Sequence, residues 1–130
     1  MRKVKMMAGK DHHISDEYAH AIDHFIDVIT QVAKKYVDLD KYEIWTENWA
    51  DTVFQGHPLE YNVQYLYIYL IDKSTRREEF VGRIEIGDNR WDHVDSEKDG
   101  EDVVALYSDR YIREQADELF AEWAKEVDEA

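Results

Sequence analysis

The chain has 130 residues, which is enough for one hydrophobic core and too few for two ordinary domains. Apolar residues make up 44 % and aromatic residues 13 %, so the chain can build a folded core in spite of its formal charge of −14. The absence of cysteine excludes disulfides, thiolate catalysis and cysteine-based zinc sites. The basic start lacks the apolar run of a signal peptide, and no segment has transmembrane length, so we predict a cytosolic protein.

The negative charge is unevenly distributed along the chain. Residues 1–10 hold four basic and no acidic groups, and because this +4 is part of the total of −14, residues 11–130 carry −18. We predict a flexible basic arm over 1–13, or a short edge strand there, followed by a single acidic domain over 14–130. An acidic body of this kind repels nucleic acid and acidic membranes and attracts basic partners.

Two segments have the three- and four-residue periodicity of amphipathic helices. Ser15 is a candidate N-cap for a helix over 15–37, with Asp16 and Glu17 favourably placed in its first turn. Ser108 is a candidate N-cap for a second helix that runs toward the C-terminus. The apolar stripes consist of Tyr18, Ile22, Phe25, Ile29, Val32 and Tyr36 in the first helix and of Ile112, Ala116, Leu119, Trp123 and Val127 in the second.

The residues between the two helices predict a sheet. Strands are expected at 41–47, 61–71, 80–86 and 103–107, an irregular connection or short helix at 48–60, and a polar loop at 87–102. A polar turn at 72–77 joins the second and third strands into an antiparallel hairpin. The predicted fold class is α+β, an antiparallel three- to four-stranded sheet packed by N- and C-terminal helices in the order α-β-β-β-(β)-α.

The strand predicted at 61–71 has apolar residues on both faces, which is typical of a central strand. Because side chains alternate along a strand, one face is aliphatic and the other has a row of tyrosines. If the helices cover the aliphatic face, the tyrosine row is exposed and predicts a partner-binding surface. The alternative is cross-strand packing, or cover by residues 48–60. The aliphatic residues are Leu66, Ile68 and Leu70; the row is Tyr61, Tyr65, Tyr67 and Tyr69, joined by Val81, Arg83 and Glu85 of the next strand.

Four glutamates spaced by four residues form an acidic ridge on the predicted C-terminal helix. Neighbouring members destabilise an isolated helix by roughly 0.2–0.5 kcal/mol per pair, so helix stability does not explain the spacing. A rod of negative charge is a candidate surface for a basic partner and is comparable in scale to a nucleic-acid backbone. The alternative is a plain solvated acidic face. The ridge consists of Glu114, Glu118, Glu122 and Glu126.

The polar loop at 87–102 is a second acidic feature. Its carboxylates are expected to attract a basic partner. Its tryptophan, Trp91, is expected to provide an apolar anchor for that partner. Residues 95–100 resemble the first half of an EF-hand calcium loop, but Leu106 stands where the bidentate glutamate should be. We predict no dedicated calcium site and no cofactor. The predicted partner-binding residues of the loop are Asp95, Glu97, Asp99 and Trp91.

Histidines on the first helix are candidates for a metal or acid–base site. His20 and His24 stand four residues apart, a spacing that can bring both to one metal ion. At about 100° per residue, His20 and Asp27 lie nearly opposite the apolar stripe, so we expect solvent around them. No serine lies in a Gly-x-Ser-x-Gly motif, and no glycine-rich loop could cradle phosphate. The sequence therefore predicts no catalytic residues.

In size, acidity and lack of catalytic motifs, the chain is similar in character to acidic inhibitor proteins: phage-encoded anti-restriction and anti-CRISPR proteins and immunity proteins of nuclease toxins. We predict a non-enzymatic protein that docks onto a basic, nucleic-acid-binding protein, with nucleic-acid mimicry as one mechanism. It is not expected to bind nucleic acid or membranes itself. Two alternatives stay open: a small metal-dependent or hydrolytic enzyme that uses the His20/His24 face, and an accessory protein whose acidity only confers solubility.

Overall fold

The computed structural model describes residues 2–6, 16–54, 60–88 and 102–129, which form five strands and two helices. In chain order these elements are β1 (Arg2–Met6), α1 (Asp16–Ala33), β2 (Tyr42–Phe54), β3 (Glu60–Asp72), β4 (Glu78–Asp88), β5 (Asp102–Leu106) and α2 (Asp109–Glu129). The predicted α+β class is confirmed, and so is the order of elements from α1 onward. β1 adds a strand ahead of α1.

The described strands form one antiparallel sheet in the order β1-β5-β4-β3-β2. The predicted hairpin between β3 and β4 is present, with its turn at 73–77. β1 pairs with β5 over its whole length. Residues 2–6 of the segment predicted as a flexible basic arm therefore form an edge strand, the second interpretation of that segment. The rest of it, and the candidate cap Ser15, lie outside the described residues.

The hydrophobic core lies between one face of the sheet and the two helices. The central strand contributes Leu66, Ile68 and Leu70, which are almost fully buried. Ile29 of α1 and Phe120 of α2 are fully buried in the same cluster. Burial of a large apolar side chain stabilises a fold by roughly 1.5–3 kcal/mol. The helical stripes thus pack on the aliphatic face of the strand as the sequence predicts, except that Val127 is exposed and Phe120, which lies outside the predicted stripe, is fully buried.

The helix ends lie close to the predicted positions. Ser108 caps α2 as predicted, because its Oγ accepts a hydrogen bond of 3.2 Å from the backbone N–H of Tyr111. α1 ends at Ala33 and does not continue to residue 37. The N–H of Tyr36 donates to the carbonyl of Ala33 at 3.0 Å, three residues back, and this tighter turn ends the α-helix. Val37 nevertheless remains buried.

β2 is much longer than the sequence predicts. The strand expected at 41–47 extends to Phe54. The prediction of an irregular connection or short helix at 48–60 is therefore wrong for residues 48–54. Pairing with β3 continues along this whole length. Asn48 has low strand propensity, but its side-chain amide donates a hydrogen bond of 3.0 Å to the carbonyl of Tyr65. Pairing with a long neighbouring strand therefore outweighs local propensity.

A β-bulge changes which residues of β4 face away from the core. The register with β3 shifts so that Phe80 stands opposite Tyr69, and Val81 becomes the extra residue. Val81 is partly buried against the core, so its predicted place in the outer row is wrong. Phe80 takes that place, and Arg83 and Glu85 keep their predicted positions opposite the tyrosine row.

Candidate functional site

The face of the sheet that is turned away from both helices is lined with aromatic side chains. Cross-strand pairing places Trp45 opposite Tyr69 and Trp49 opposite Tyr65, so the aromatic rows of β2 and β3 share one face. The predicted tyrosine row is therefore part of a wider surface that includes β2 and β4. We name this surface the aromatic face; it consists of Trp45, Trp49, Tyr65, Tyr67, Tyr69 and Phe80.

The aromatic face is open within the part of the chain that the structure describes. Trp45 is 53 %, Trp49 54 % and Phe80 54 % exposed, while the tyrosines between them are half-buried by their neighbours. Both helices join the core on the other side, and α2 reaches only the β4 border of the face, where Arg83 lines a cleft with Glu118 and Glu122. Residues 48–54, predicted as a possible cover, extend the sheet instead. A contiguous exposed aromatic surface of this kind is typical of an interaction site.

Ring contacts hold the aromatic face together. The centroid of the Phe80 ring lies 5.3 Å from that of Tyr69 and 5.9 Å from that of Tyr67. The Tyr67 ring lies 6.5 Å from Trp49 and 6.3 Å from Tyr65. Tilted and edge-on ring pairs in this range contribute about 0.5–1.5 kcal/mol each beyond their burial. The rings are therefore positioned before any partner arrives, which lowers the entropic cost of binding.

Carboxylates stand among the rings. Oε2 of Glu47 accepts a hydrogen bond of 2.8 Å from the indole N–H of Trp49, and Oε1 accepts one of 3.3 Å from the indole N–H of Trp45. Burial, followed by the negative charges of Glu47 and Glu78, raises the pKa of Tyr69 above its ordinary value. Tyr69 therefore stays neutral at physiological pH, and the carboxylates give this part of the face its negative charge.

Arg83 brings a positive charge to the same face. Its guanidinium carbon lies 4.3 Å from the centroid of the Tyr65 ring, and its Nη1 donates a hydrogen bond of 3.3 Å to the hydroxyl of Tyr67. A guanidinium stacks on an aromatic ring because the electron-rich ring face attracts the cation. The aromatic face thus holds one arginine side chain of its own by stacking and hydrogen bonding.

The acidic ridge of α2 lies on the solvent side of that helix. Its four glutamates are all exposed, and Glu114 accepts a hydrogen bond of 3.0 Å from Arg110. α2 has eight acidic and three basic residues among 21, which is one net charge per about 6 Å of helix. Duplex DNA has one charge per about 1.7 Å. The net charge density along α2 is therefore much lower than that of duplex DNA. The predicted loop residues Trp91, Asp95, Glu97 and Asp99 lie outside the described residues.

The two candidate metal-binding histidines are both exposed on α1. Nε2 of His24 lies 2.6 Å from Oδ2 of Asp109, so this side chain joins α1 to the first turn of α2. His20 and Asp27 face solvent, as their position on the helix predicts. Among the side chains that the structure describes, no group of three or more His, Cys, Asp or Glu residues could hold a metal ion.

A tyrosine pair anchors the border of the aromatic face. The hydroxyl of Tyr107 donates a hydrogen bond of 2.5 Å to Oε2 of Glu85, and the Tyr107 ring lies 4.6 Å from that of Tyr111. Burial, followed by the hydrogen bond to Glu85 and its charge, raises the pKa of Tyr107 well above its ordinary value. The hydrogen bond fixes the carboxylate of Glu85 at the border of the face.

Several residues of the aromatic face are missed when the sequence is considered alone. Trp45 and Glu47 lie in the strand predicted at 41–47, and a period of two places Trp49 on the same face when that strand continues. This spacing is the sequence signal that identifies the three residues. No comparable local signal identifies Phe80, because its orientation depends on the bulge against β3.

No family model, no curated protein and no solved structure matches this chain. Neither of the described helices is both long and apolar enough to span a bilayer.

Proposed function

We propose that this chain is a non-enzymatic acidic binding protein that docks onto a basic protein through its aromatic face. The observation that supports this most is the exposure of Trp45, Trp49 and Phe80 on one face, together with the carboxylate of Glu47, to which both tryptophans donate hydrogen bonds. Tryptophan and tyrosine provide large contact areas, and the surrounding charge selects the partner.

The aromatic rings supply the affinity. Burying about 100 Å² on each of the three most exposed rings is worth roughly 2–3 kcal/mol per ring. The formal charge of −14 adds long-range attraction, which speeds association with a cationic surface and weakens as salt is added. Specific contact thus comes from the aromatic face, and long-range attraction comes from the charge of the whole molecule.

The same charge argues against the other occupants of an aromatic sheet. Nucleic-acid bases stack on aromatic sheets, but the phosphates would meet a protein of formal charge −14. A second copy would bring the carboxylates of two identical faces together, and like charges that face each other are unfavourable. A basic protein can both pack against the aromatic rings and neutralise the negative charge.

The partner class that fits best is a nucleic-acid-binding protein, which this chain inhibits by occupying its basic surface. Anti-restriction, anti-CRISPR and toxin-immunity proteins are inhibitors of this kind. The ridge of α2 contributes attraction at long range, since its charge density is too low to replace a duplex by itself. The aromatic face is the part of the proposed interface that excludes water.

The test is a comparison of the proteins captured by the full chain and by two variants. The face variant is Trp45→Ala with Trp49→Ala; the matched ridge variant is Glu122→Gln with Glu126→Gln. We expect the wild-type chain to capture basic nucleic-acid-binding proteins at low salt, the face variant to lose them, and the ridge variant to retain them with slower association. Capture that is unaffected by the face variant, or captured proteins that are not basic, would contradict the proposal.

A further inference from the structure

We infer that the Trp45–Glu47–Trp49 row of β2 is a binding site for an arginine side chain of the partner. The inference rests on the proposed function and names the chemical group that the aromatic face recognises. Glu47 lies between the two tryptophans, which stand two residues before and two residues after it on the same strand. Side chains at this spacing project from the same face of a strand.

Two hydrogen bonds fix the carboxylate of this site. One oxygen of Glu47 accepts from Trp49 and the other from Trp45, so the carboxylate is tied to both indole rings. Each carboxylate oxygen has a second lone pair. Among the described residues, no cation forms an ion pair with Glu47. The carboxylate therefore has capacity for a cationic group from outside the chain.

The indole rings provide the second half of the site. Trp45 and Trp49 are each about half exposed, and tryptophan is the aromatic ring that attracts cations most strongly. A guanidinium can direct its planar fork of N–H donors toward the carboxylate while its face lies against a ring. A lysine ammonium is a compact and strongly hydrated charge. It can pair with the carboxylate, but it has no planar face that can lie against an indole ring.

Arg83 shows the same binding mode within this chain. It stacks at 4.3 Å on Tyr65 and donates to the hydroxyl of Tyr67, two strands away from the outer edge of the sheet. On this face an arginine is thus held by a ring and by an oxygen acceptor. The Trp45–Glu47–Trp49 row repeats that combination with stronger components, a carboxylate and two indoles.

The experiment follows the indole N–H signals of the isotope-labelled full chain by NMR during titration. The probes are a Gly–Arg repeat peptide and matched peptides in which lysine or citrulline replaces arginine. Citrulline keeps the planar shape and loses the charge. We expect the signals of Trp45 and Trp49 to shift, while the signal of buried Trp123, which donates to Glu79 at 3.0 Å, stays in place. We expect arginine to bind about tenfold tighter than lysine, and citrulline to be the weakest.

Two variants and one control separate the parts of the site. Glu47→Gln should weaken the arginine peptide about tenfold, whereas Asp27→Asn removes the same charge from the solvent face of α1 and should change the affinity less than about twofold. Trp49→Leu keeps an apolar side chain at an exposed position and should reduce the preference for arginine over lysine. Equal affinities for the arginine and lysine peptides, or binding that leaves the signals of Trp45 and Trp49 unchanged, would overturn the inference.

Failure of the inference is distinguishable from failure of the proposed function. If arginine and lysine peptides bind equally while the face variant still loses its captured partners, the aromatic face remains the interface and the arginine site is wrong. If the arginine peptide binds at Trp45 and Trp49 but the face variant captures the same partners as the wild-type chain, the arginine site is supported and the proposed function is wrong.

Discussion

The hydroxyl of Tyr18 on α1 donates a hydrogen bond of 2.8 Å to Oε1 of Gln64 on β3, and both side chains are buried. Tyr18→Phe leaves the buried amide oxygen with a weaker donor, the side-chain amide of Asn48 at 3.5 Å, so it should lower the free energy of unfolding by about 1–3 kcal/mol. Urea denaturation measures this loss. Tyr36→Phe is the control, since its hydroxyl bonds to the partly exposed Asp117 at 2.8 Å and its loss should cost less. Equal losses would contradict the prediction.

Two glycines of β4 differ in what lies above them. A Cβ on Gly82 would lie 2.5 Å from Cδ2 of Leu119, which can rotate away, whereas a Cβ on Gly87 would meet the backbone carbonyl oxygen of Ala105. Gly82→Ala should therefore cost about 1–3 kcal/mol of unfolding free energy and Gly87→Ala more. Shortening Leu119 to Ala in the Gly82→Ala background should recover part of the packing strain in a double-mutant cycle. A smaller loss at Gly87 than at Gly82 would count against this account.

The aromatic face should contribute little to stability. Trp45→Ala and Trp49→Ala each remove a half-exposed ring, and Trp49→Ala also removes a ring contact with Tyr67, so we expect each to lower the free energy of unfolding by at most about 2 kcal/mol. Phe120→Ala empties a fully buried position and should cost about 3–5 kcal/mol. Urea denaturation of the three variants compares them directly. A loss above about 2 kcal/mol for either tryptophan would assign the face a structural role.

Stability should fall in alkaline solution because burial, and then the hydrogen bond to Glu85, raise the pKa of Tyr107. The pKa of Tyr107 is raised in the folded protein, so the folded state keeps its proton to higher pH than the unfolded chain. This contribution is complete below the ordinary tyrosine pKa of about 10 and is lost as the pH rises through the folded-state pKa. Glu85→Gln should bring the pKa of Tyr107 down and make the alkaline loss of stability shallower. Tyrosinate absorbance and urea denaturation at several pH values measure both, with Tyr107→Phe as the control.

The sequence predicts most of the helical fold because its signals are local. Periodicity locates both helices, and Ser108 marks the start of α2 with its own hydrogen bond. The apolar run of β3 is recognisable because it is buried on one face and paired on both edges. These features need no knowledge of distant residues.

Other parts of the fold depend on partners that are distant in the sequence. β1 is a strand because β5, about a hundred residues later, pairs with it. β2 runs on to Phe54 because β3 is equally long, and not because of its own propensity. The candidate site has the same dependence: the tyrosine row follows from alternation along one strand, while the place of Phe80 follows from the bulge in β4.

The strand order has a consequence for how the molecule turns during an encounter. β1 and β2 occupy opposite edges of the sheet; β1 has three basic and no acidic residues, and β2 has three acidic and no basic residues. The two edge strands therefore contribute an electric dipole moment directed across the sheet. In the field of a cationic surface this contribution adds a torque that turns the β2 edge inward and the β1 edge outward. The tryptophans of β2 would then lead the approach, which shortens the rotational search before contact.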